Sequence, residues 1–370
     1  MSNARQILVV GAGIAGSAAA IALASTGIRV TLIEKQAIWR FQSSGIFVYG
    51  NGLEALRALG VLPQMLEAGF AIPDGRNTYL DHHGAPITDT FYPSPGAGIP
   101  PILGIKRAEM HRVLASRLAG LGVETRLDTT VAHIHAPAAA AQARVRFSDG
   151  GEQCFDLVIG ADGIRSQVRQ LLWPTVQPRY TGFGVWRSVH ARPPELDKKI
   201  MLMGVGKRLG IMPISHDRLY LFGTVVEPAG SWFPRERWHE FMAERFAEFA
   251  GPARPFLDTL SPASEVLYTA VEEVALPQPW HQGRVLLIGD AAHASTPFMG
   301  QGGAMAIEDG VLLARMLGGN HEPLEAVLQQ FARRRFPLCS FVQEASRRVG
   351  EAGALEYPGS GIEMRNAHMR

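Results

Sequence analysis

A glycine-rich turn near the start of the chain places the strongest constraint on its fold. The turn, Gly11-Ala12-Gly13-Ile14-Ala15-Gly16, follows an apolar segment, Gln6–Val10, that predicts a buried strand. It opens a segment, 14–25, that predicts a helix, and residues 29–34 then predict a second strand ending at Glu34. A helical crossover between two such strands makes them parallel, so this segment predicts a βαβ unit.

The three glycines have separate roles in such a turn. Gly11 permits the tight bend, Gly13 lets a pyrophosphate approach the backbone, and Gly16 allows the helix to lie close to the strand. The free N–H groups at the helix start favour phosphate, and Glu34 can accept hydrogen bonds from an adenosine ribose. The pattern therefore predicts dinucleotide binding but does not choose between NAD and FAD. The neighbouring candidate contacts are Ile14, Ala15 and Lys35.

Two further glycine clusters each follow a predicted strand that ends in an acid. In the first, the strand 155–159 leads to Asp162-Gly163, and Asp162 is either a ligand-facing carboxylate or the N-cap of the next helix. In the second, the strand 284–288 leads to Gly289-Asp290 and then to a loop before a long helix, 302–317. Its backbone N–H groups suit partial negative charge, although a flexible loop would have the same composition. The candidate loop residues are Pro297, Gly300, Gly302 and Gly303.

Together the three segments resemble the class A FAD-dependent monooxygenases, the family of p-hydroxybenzoate, salicylate and urate hydroxylases. The resemblance implies an α/β fold, with a Rossmann-like FAD-binding domain interleaved with a smaller substrate domain on a mainly antiparallel sheet. It implies FAD as the cofactor and NADH or NADPH as the electron donor. The family binds this donor only transiently, which agrees with the lack of a second dinucleotide-binding fingerprint in the sequence. The residues that match the family's FAD contacts are Glu34, Arg107, Asp162, Asp290 and the loop from Pro297 to Gly303.

By the same resemblance, the expected reaction is hydroxylation of a small aromatic or heteroaromatic compound by O2 through a flavin hydroperoxide. Two alternatives remain open. One is a two-component oxygenase that uses externally reduced flavin, and the other is a flavin-binding protein without catalytic activity.

On the substrate side, two segments resemble those of related hydroxylases. Residues 180–187, which end at Arg187, are similar to the entry strand of the substrate domain, and Arg208 and Tyr220 match substrate positions of FAD-dependent urate hydroxylase. An arginine beside a phenol could stabilise a substrate oxyanion. The alternative is that Tyr220 packs inside a sheet and Arg208 is a solvated turn residue.

One departure from the urate enzyme bears on the substrate. Phe298 stands where that enzyme has an acid, so urate itself is not expected. Apolar side chains predict an adaptable pocket for a planar ring, although several of them can equally be core residues. The candidates are Phe298, Met212 and Phe222, with Met203 and Met299.

The order of the segments predicts discontinuous domains. We expect the FAD-binding domain at 1–72, 101–172 and 275–350, the substrate domain at 73–100 and 173–274, and a C-terminal tail at 351–370. A basic segment, 324–348, predicts a helix with a kink or break at Pro337. Its arginines, 333–335, 347 and 348, are expected on a solvated face.

Composition narrows the remaining classes. With 36 Lys+Arg against 34 Asp+Glu, no basic surface for nucleic acid is indicated. The two cysteines are too few for a disulfide framework or a thiolate metal site, and the histidines lack ligand spacing, so no metal is expected. The uncharged run 7–24 could suggest a leader or an anchor, but its glycines favour the βαβ interpretation. We therefore expect a cytoplasmic monomer or homodimer with no membrane partner.

Overall fold

The computed structural model describes residues 5–39, 44–319 and 322–354. The strands are, in chain order, β1 (Gln6–Val10), β2 (Arg29–Ile33), β3 (Gly45–Tyr49), β4 (Phe70–Ile72), β5 (Arg76–Asp81), β6 (Pro86–Phe91), β7 (Ile102–Lys106), β8 (Glu124–Arg126), β9 (Val131–His135), β10 (Ala143–Phe147), β11 (Glu152–Phe155), β12 (Leu157–Gly160), β13 (Arg179–Ala191), β14 (Lys199–Met203), β15 (Lys207–Pro213), β16 (Arg218–Val226), β17 (Val266–Glu273), β18 (His281–Gln282) and β19 (Val285–Leu287).

The helices are, in chain order, α1 (Ile14–Ser25), α2 (Gly50–Ala58), α3 (Leu62–Ala68), α4 (Arg107–Gly120), α5 (Gln167–Leu172), α6 (Trp238–Arg245), α7 (Arg254–Asp258), α8 (Asp290–His293), α9 (Gly302–Leu317) and α10 (Leu324–Ala354). Among the described residues, no helix combines the length and the apolar character that a bilayer crossing requires.

The first large sheet has six strands in the order β18-β19-β12-β1-β2-β8. Strand β1 lies near its centre and pairs in parallel with both β2 and β12, while β12 pairs in parallel with β19. The apolar side chains of β1 are almost completely buried, as expected for a strand covered on both faces. The predicted βαβ unit and the mixed α/β fold class are confirmed.

Helices α1 and α9 cross at very close range on one face of this sheet. A Cβ added to Gly310 of α9 would lie only 2.6 Å from the backbone nitrogen of Ala19 in α1. Small side chains at the crossing let both helices approach, so α9 holds the start of α1 close to the sheet. This contact brings the N-terminal ends of α1 and α9 to the same region.

The second large sheet has seven strands in the order β17-β13-β16-β15-β14-β5-β6. Its pairs are antiparallel except for β14 and β5, which run parallel. Helices α6 and α7 cover part of it, and their core includes Trp186, Phe246 and Phe249, each fully buried. The predicted change to mainly antiparallel strands after residue 180 is confirmed.

The last helix differs from its prediction in two respects. Helix α10 continues through Pro337 without a break. Pro337 and Arg333 are exposed, so water can satisfy the carbonyl of Arg333 that loses its intrahelical partner. The helix also continues to Ala354, inside the predicted tail, and the rest of that tail, 355–370, lies outside the described residues.

Candidate active site

A cavity of about 370 Å³ lies where the two large sheets meet. The turns that follow β1, β12 and β19 reach it from the first sheet, and side chains of β13 to β16 reach it from the second. Ligands bind at this edge in open α/β sheets, because the carboxyl ends of parallel strands leave a crevice there. The predicted residues that line it are Gly13, Ile14, Ala15, Arg107, Arg187, Arg208, Tyr220, Phe222, Asp290, Pro297, Phe298, Gly300, Gly302 and Gly303.

The glycine-rich turn has the shape that the sequence predicts. Gly11 has a φ of +98°, and a Cβ on Gly16 would lie only 1.8 Å from the carbonyl oxygen of Gly11. Gly13 caps α1 without a side-chain hydrogen bond, and no atom of a described residue lies within 4 Å of where its Cβ would be. The open space and the free N–H groups at the helix start together fit a pyrophosphate.

Glu34 is held against this turn at the end of β2. Its Oε2 accepts a hydrogen bond from the backbone N–H of Ala12 at 2.9 Å, and its Oε1 accepts one from the N–H of Gln36 at 3.0 Å. Lys35, the next residue, is exposed. The carboxylate is therefore fixed beside the turn, where a ribose attached to the pyrophosphate would lie.

Asp162 is engaged with the start of α5. Its Oδ2 accepts hydrogen bonds from the N–H groups of Gln167 and Val168, at 2.7 and 3.1 Å, and its Oδ1 accepts one from the Ser166 hydroxyl. Burial raises the pKa of Asp162, and these hydrogen bonds oppose that rise. The N-cap of α5 is Ser166 and not Asp162. The cavity is lined by Ala161 and Gly163, on either side of this acid.

Arg169, an arginine of α5, is completely buried. Its guanidinium donates hydrogen bonds to the carbonyl oxygens of Ile164, Val176 and Ala291. Arg169 thus ties α5 to the loop regions around the cavity.

Arg107 and Asp290 line the cavity together. Arg107 begins α4, and Asp290, which is exposed, begins α8. Burial and the charge of Arg187 lower the pKa of Arg107, while Tyr220 and Asp290 raise it. One turn after Arg107, His111 also lines the cavity, and burial together with Arg107 lowers its pKa to about 4. His111 is therefore neutral at pH 7.

The start of α9 closes one side of the cavity. Gly300 has a left-handed φ of +64°, and a Cβ there would lie 2.3 Å from the ring of Phe47. Gly302 and Gly303 then begin α9, whose N-cap residue, Gln301, makes no side-chain cap. Free N–H groups at this helix start can stabilise partial negative charge on a bound ring. The predicted loop and helix are thus both at the cavity.

An aromatic wall, defined here as Phe47, Tyr220 and Phe222, forms another part of the cavity lining. Tyr220 and Phe222 stack with ring centroids 5.0 Å apart, and Phe47 lies 5.5 Å from Phe222. Gly45 makes room for this arrangement, because a Cβ on it would lie 2.6 Å from the Tyr220 ring. Tyr220 is only 5% exposed, so it packs in the sheet, and it also lines the cavity. The two alternatives that the sequence left open for Tyr220 are therefore compatible.

Arg208 has contacts that the sequence did not predict. Its guanidinium carbon lies 5.2 Å from the centroid of the Phe298 ring, and its Nη2 donates a hydrogen bond to the carbonyl oxygen of Val349 in α10. Phe298 also contacts Phe183, at 4.9 Å between centroids. Arg208 is therefore held between the cavity and α10, and it is not a solvated turn residue.

Some predicted substrate residues do not reach the cavity. Met212 is completely buried in a cluster with Ile102 and Tyr220, and it does not line the cavity. Met203 and Met299 are likewise not among the lining residues. Met201, which the sequence analysis did not select, occupies the cavity face of β14 instead.

Other lining residues were also missed. Lys199 begins β14, is only 5% exposed, and lines the cavity near Phe47. Strand alternation could have placed Lys199 and Met201 on one face, but it could not show which face is buried. The further lining residues are Gly45, Ile46, Phe47, His111, Ala161, Gly163, Val185, Met201, Thr224 and Ala306.

A buried ionic cluster lies behind the loop that carries Asp290. His293 Nε2 lies 2.7 Å from Asp309 Oδ2, and Arg335 Nε donates to Asp309 Oδ1 at 2.7 Å. Arg335 is therefore buried, which corrects its expected place on a solvated helix face. His293, Asp309 and Cys339 lie close enough to hold a metal ion. However, the adjacent guanidinium and the occupied carboxylate oxygens favour a structural cluster.

Comparisons with known proteins agree on one family. A family model described as an FAD binding domain matches residues 4–338. The 2-heptyl-3-hydroxy-4(1H)-quinolone synthase of Pseudomonas aeruginosa is 33% identical over 371 aligned positions, covering 98% of this chain and 93% of the relative. The FAD-dependent urate hydroxylase of Mycolicibacterium vanbaalenii is 31% identical, covering 89% of this chain and 84% of the relative.

A solved structure gives the same result. Klebsiella pneumoniae HpxO complexed with FAD and uric acid superposes with a TM-score of 0.88 at 26% identity, covering 100% of this chain and 93% of that one.

Proposed function

The chain belongs to the FAD binding domain family and is an FAD-dependent monooxygenase of the aromatic hydroxylase type, and on this premise we propose that it hydroxylates a planar, oxygen-bearing heteroaromatic ring system of the hydroxyquinoline or quinolone class. One observation carries the proposal: the aromatic wall and the glycine-rich loops share a single cavity of about 370 Å³. Quinolone and urate relatives support a bicyclic substrate with ring oxygens. Phe298 in that cavity favours the less polar of these two ring systems.

We assign the cofactor contacts to three places. The turn 11–16 and the start of α1 would hold the pyrophosphate, with Glu34 on the ribose. Arg107 and Asp290 would contact the central part of FAD, and the start of α9 would lie beside the flavin ring. The carboxylate of Asp162 supports this site through α5, since its oxygens already accept hydrogen bonds from that helix. We propose the domain boundaries predicted from the sequence, except that α10 extends the FAD-binding domain into the predicted tail as far as Ala354.

The chemistry divides between cofactor and protein. FAD, when bound, supplies the electron transfer and the oxygen activation, which amino-acid side chains do not provide. We propose that O2 and a nicotinamide nucleotide are the co-substrates and that no separate reductase is required.

The protein's own residues orient the ring and exclude water. Phe47 and Phe222 offer faces for stacking, and Tyr220 places a hydroxyl at the cavity. Arg208 and Phe298 form the side of the cavity nearest to α10. Partial shielding from water strengthens the electrostatic contacts in such a site and protects reactive species.

The test is NADH and NADPH oxidation by the FAD-loaded protein, with and without a panel of quinolines, pyridines and phenols. We expect oxidation to be stimulated by a hydroxyquinoline or quinolone, with a product heavier by one oxygen atom. Turnover only after addition of a flavin reductase would favour the two-component alternative. Stimulation by phenols or pyridines but by no bicyclic compound would contradict the proposed substrate class.

A further inference from the structure

A buried lysine at the cavity has no part in the function described so far. Lys199 is 5% exposed, and its ammonium donates a hydrogen bond to the Tyr49 hydroxyl at 3.0 Å. The same nitrogen lies 4.4 Å from the centroid of the Phe47 ring, which belongs to the aromatic wall. Lys199 thus has one end of its side chain at the place where the substrate ring would stack.

The surroundings of this ammonium hold hydroxyls and no carboxylate partner. Burial lowers the pKa of Lys199, whereas Tyr92 and Tyr79 raise it. Within ranges 5–39, 44–319 and 322–354, the groups that stabilise the charge of Lys199 are tyrosine hydroxyls, and none is an aspartate or glutamate. A buried cation without an anionic partner is unfavourable, so an incoming acceptor oxygen would be strongly favoured there.

A second buried polar group lies beside it. Asn77 of β5 is the register partner of Lys199 in the parallel pair β14–β5, so both side chains lie on one face of the sheet. Asn77 is completely buried, and its Oδ1 and Nδ2 have no hydrogen-bond partner among the described residues. Two adjacent positions on this face therefore have unused hydrogen-bonding capacity.

The charged residues of the cavity also favour Lys199 as the group that binds an acceptor oxygen. Its basic lining residues are Arg107, Arg187, Lys199 and Arg208, and Asp290 is the acidic one. Three of the four arginines and lysines have other roles: Arg107 lies with Asp290, Arg187 donates to Thr269, and Arg208 donates to Val349. Lys199 is the basic residue placed against the aromatic wall.

Building on the proposed function, we propose that Lys199 determines specificity by binding the ring oxygen of the substrate, a hydroxyl, enolate or carbonyl oxygen. With Phe47 against the ring face and Lys199 on the oxygen, the ring is fixed in one orientation. An ammonium on this oxygen also favours its ionised form, which raises the electron density of the ring. The protein would therefore distinguish an oxygen-bearing ring from the same ring without the oxygen.

The experiment measures binding and not turnover. The FAD-loaded, full-length protein is titrated with 4-hydroxyquinoline and with quinoline, without nicotinamide, and the absorbance change of the bound flavin gives each Kd. We expect the wild type to bind 4-hydroxyquinoline at least about tenfold more tightly than quinoline, the effect of one charge-assisted hydrogen bond. Lys199→Met should lose most of this preference while its Kd for quinoline changes little.

Two further variants make the outcome clear. Lys198→Met, at the adjacent half-buried lysine outside the cavity lining, should keep the preference. Lys199→Gln repeats the test with a polar side chain in case the methionine variant fails to retain FAD. Absence of any preference in the wild type overturns the proposal, as does a preference that survives in both Lys199 variants. A preference lost only in Arg208→Met would assign the oxygen to Arg208 and also overturn it.

These binding data, together with the turnover assay of the proposed function, separate the two proposals. If 4-hydroxyquinoline binds through Lys199 but neither it nor a related bicyclic compound is hydroxylated, the substrate class is wrong and the role of Lys199 stands. If bicyclic compounds are hydroxylated but the preference does not depend on Lys199, the substrate class stands and the role of Lys199 is wrong.

Discussion

Arg208 in β15 donates a hydrogen bond to the carbonyl oxygen of Val349, near the end of α10. This contact joins the substrate side of the cavity to a helix that packs against α9 and the loop around Phe298. The packing is tight, since a Cβ on Gly350 would lie 2.3 Å from the Phe298 ring. The position of Arg208 thus couples the cavity wall to the last described helix.

Replacing Arg208 should therefore loosen α10. We expect Arg208→Met to lower the free energy of unfolding by about 1–2 kcal/mol, because a charge-assisted hydrogen bond and a contact with Phe298 are lost. Amide hydrogen exchange should become faster near residues 345–354. Lys207→Met is the control, since the Lys207–Glu248 ion pair is largely a surface contact. Unchanged exchange in Arg208→Met would contradict this role.

Adding one methyl group at Gly16 should abolish FAD retention. The new Cβ would lie 1.8 Å from the carbonyl oxygen of Gly11, so either α1 or the turn must shift. Gly120→Ala is the matched control, because that glycine ends α4 and the part of the chain that the structure describes has no other group within 4 Å of the added carbon. The flavin content of the purified variants gives the result, and equal flavin in both would show that the turn does not bind the cofactor.

Asp290→Ala should weaken FAD retention without unfolding the protein. The carboxylate is exposed at the cavity and has no buried ion-pair role within the described part of the chain. Asp258→Ala, which removes an exposed ion pair with Arg254, serves as the control. We expect at least about a tenfold rise in the Kd for FAD, equivalent to one hydrogen bond to a charged group, and a Kd equal to that of the control would refute the assignment.

Tyr220→Phe should change turnover while FAD stays bound. Its ring packs against Phe222 and Gly45, and phenylalanine keeps these contacts while it removes the hydroxyl at the cavity. We expect kcat/KM for the substrate to fall at least about tenfold, with normal flavin content. Tyr180→Phe, whose hydroxyl donates to Glu227 and does not line the cavity, should leave kcat/KM unchanged.

The buried cluster of His293, Asp309 and Arg335 predicts a pH dependence of stability. Burial opposes the imidazolium, but the charge and hydrogen bond of Asp309 outweigh burial and raise the pKa of His293 to about 10. The ordinary pKa is about 6.5. A raised folded-state pKa contributes stability that is complete below pH ~6.5 and is lost as the pH rises toward 10.

His293→Gln tests whether this contribution to stability decreases as the pH rises. We expect the variant to be less stable than the wild type by about 3 kcal/mol at pH 6.5, as for loss of a buried ionic partner. The difference should shrink toward pH 10, where the wild-type imidazole also becomes neutral. Urea unfolding at several pH values measures it, and a difference independent of pH would show that His293 is not protonated in the folded protein.

The local parts of the fold could be predicted from sequence because their signals are local. The bounds of α1 and α9 agree with the predicted helices, since each is a largely apolar segment with glycines near both ends. Asp162 shows the limit of such signals. A carboxylate before a helix is consistent both with a cap and with a ligand contact. Only its distances to Gln167 and Val168 show that Asp162 accepts hydrogen bonds from the start of α5, although the N-cap residue itself is Ser166.

Lys199 shows why part of the site could not be predicted. A lysine pair after a polar turn normally indicates solvent, and its burial here arises from pairing with Asn77 in a strand far earlier in the chain. Arg208 is a similar case, because its partner Val349 lies 141 residues away. Long-range register and packing determine both environments, and neither leaves a periodic trace in the sequence.

The parallel pairing of β14 with β5 has a consequence for how this enzyme can diversify. The seven-stranded sheet takes β5 and β6 from one stretch of the chain and its other strands from a later one, with cofactor-side strands between them. A genetic recombination with one crossover between these stretches would pair strands from different parents across Lys199 and Asn77. Substrate preference is therefore expected to evolve through point changes on facing strands rather than through exchange of a contiguous gene segment.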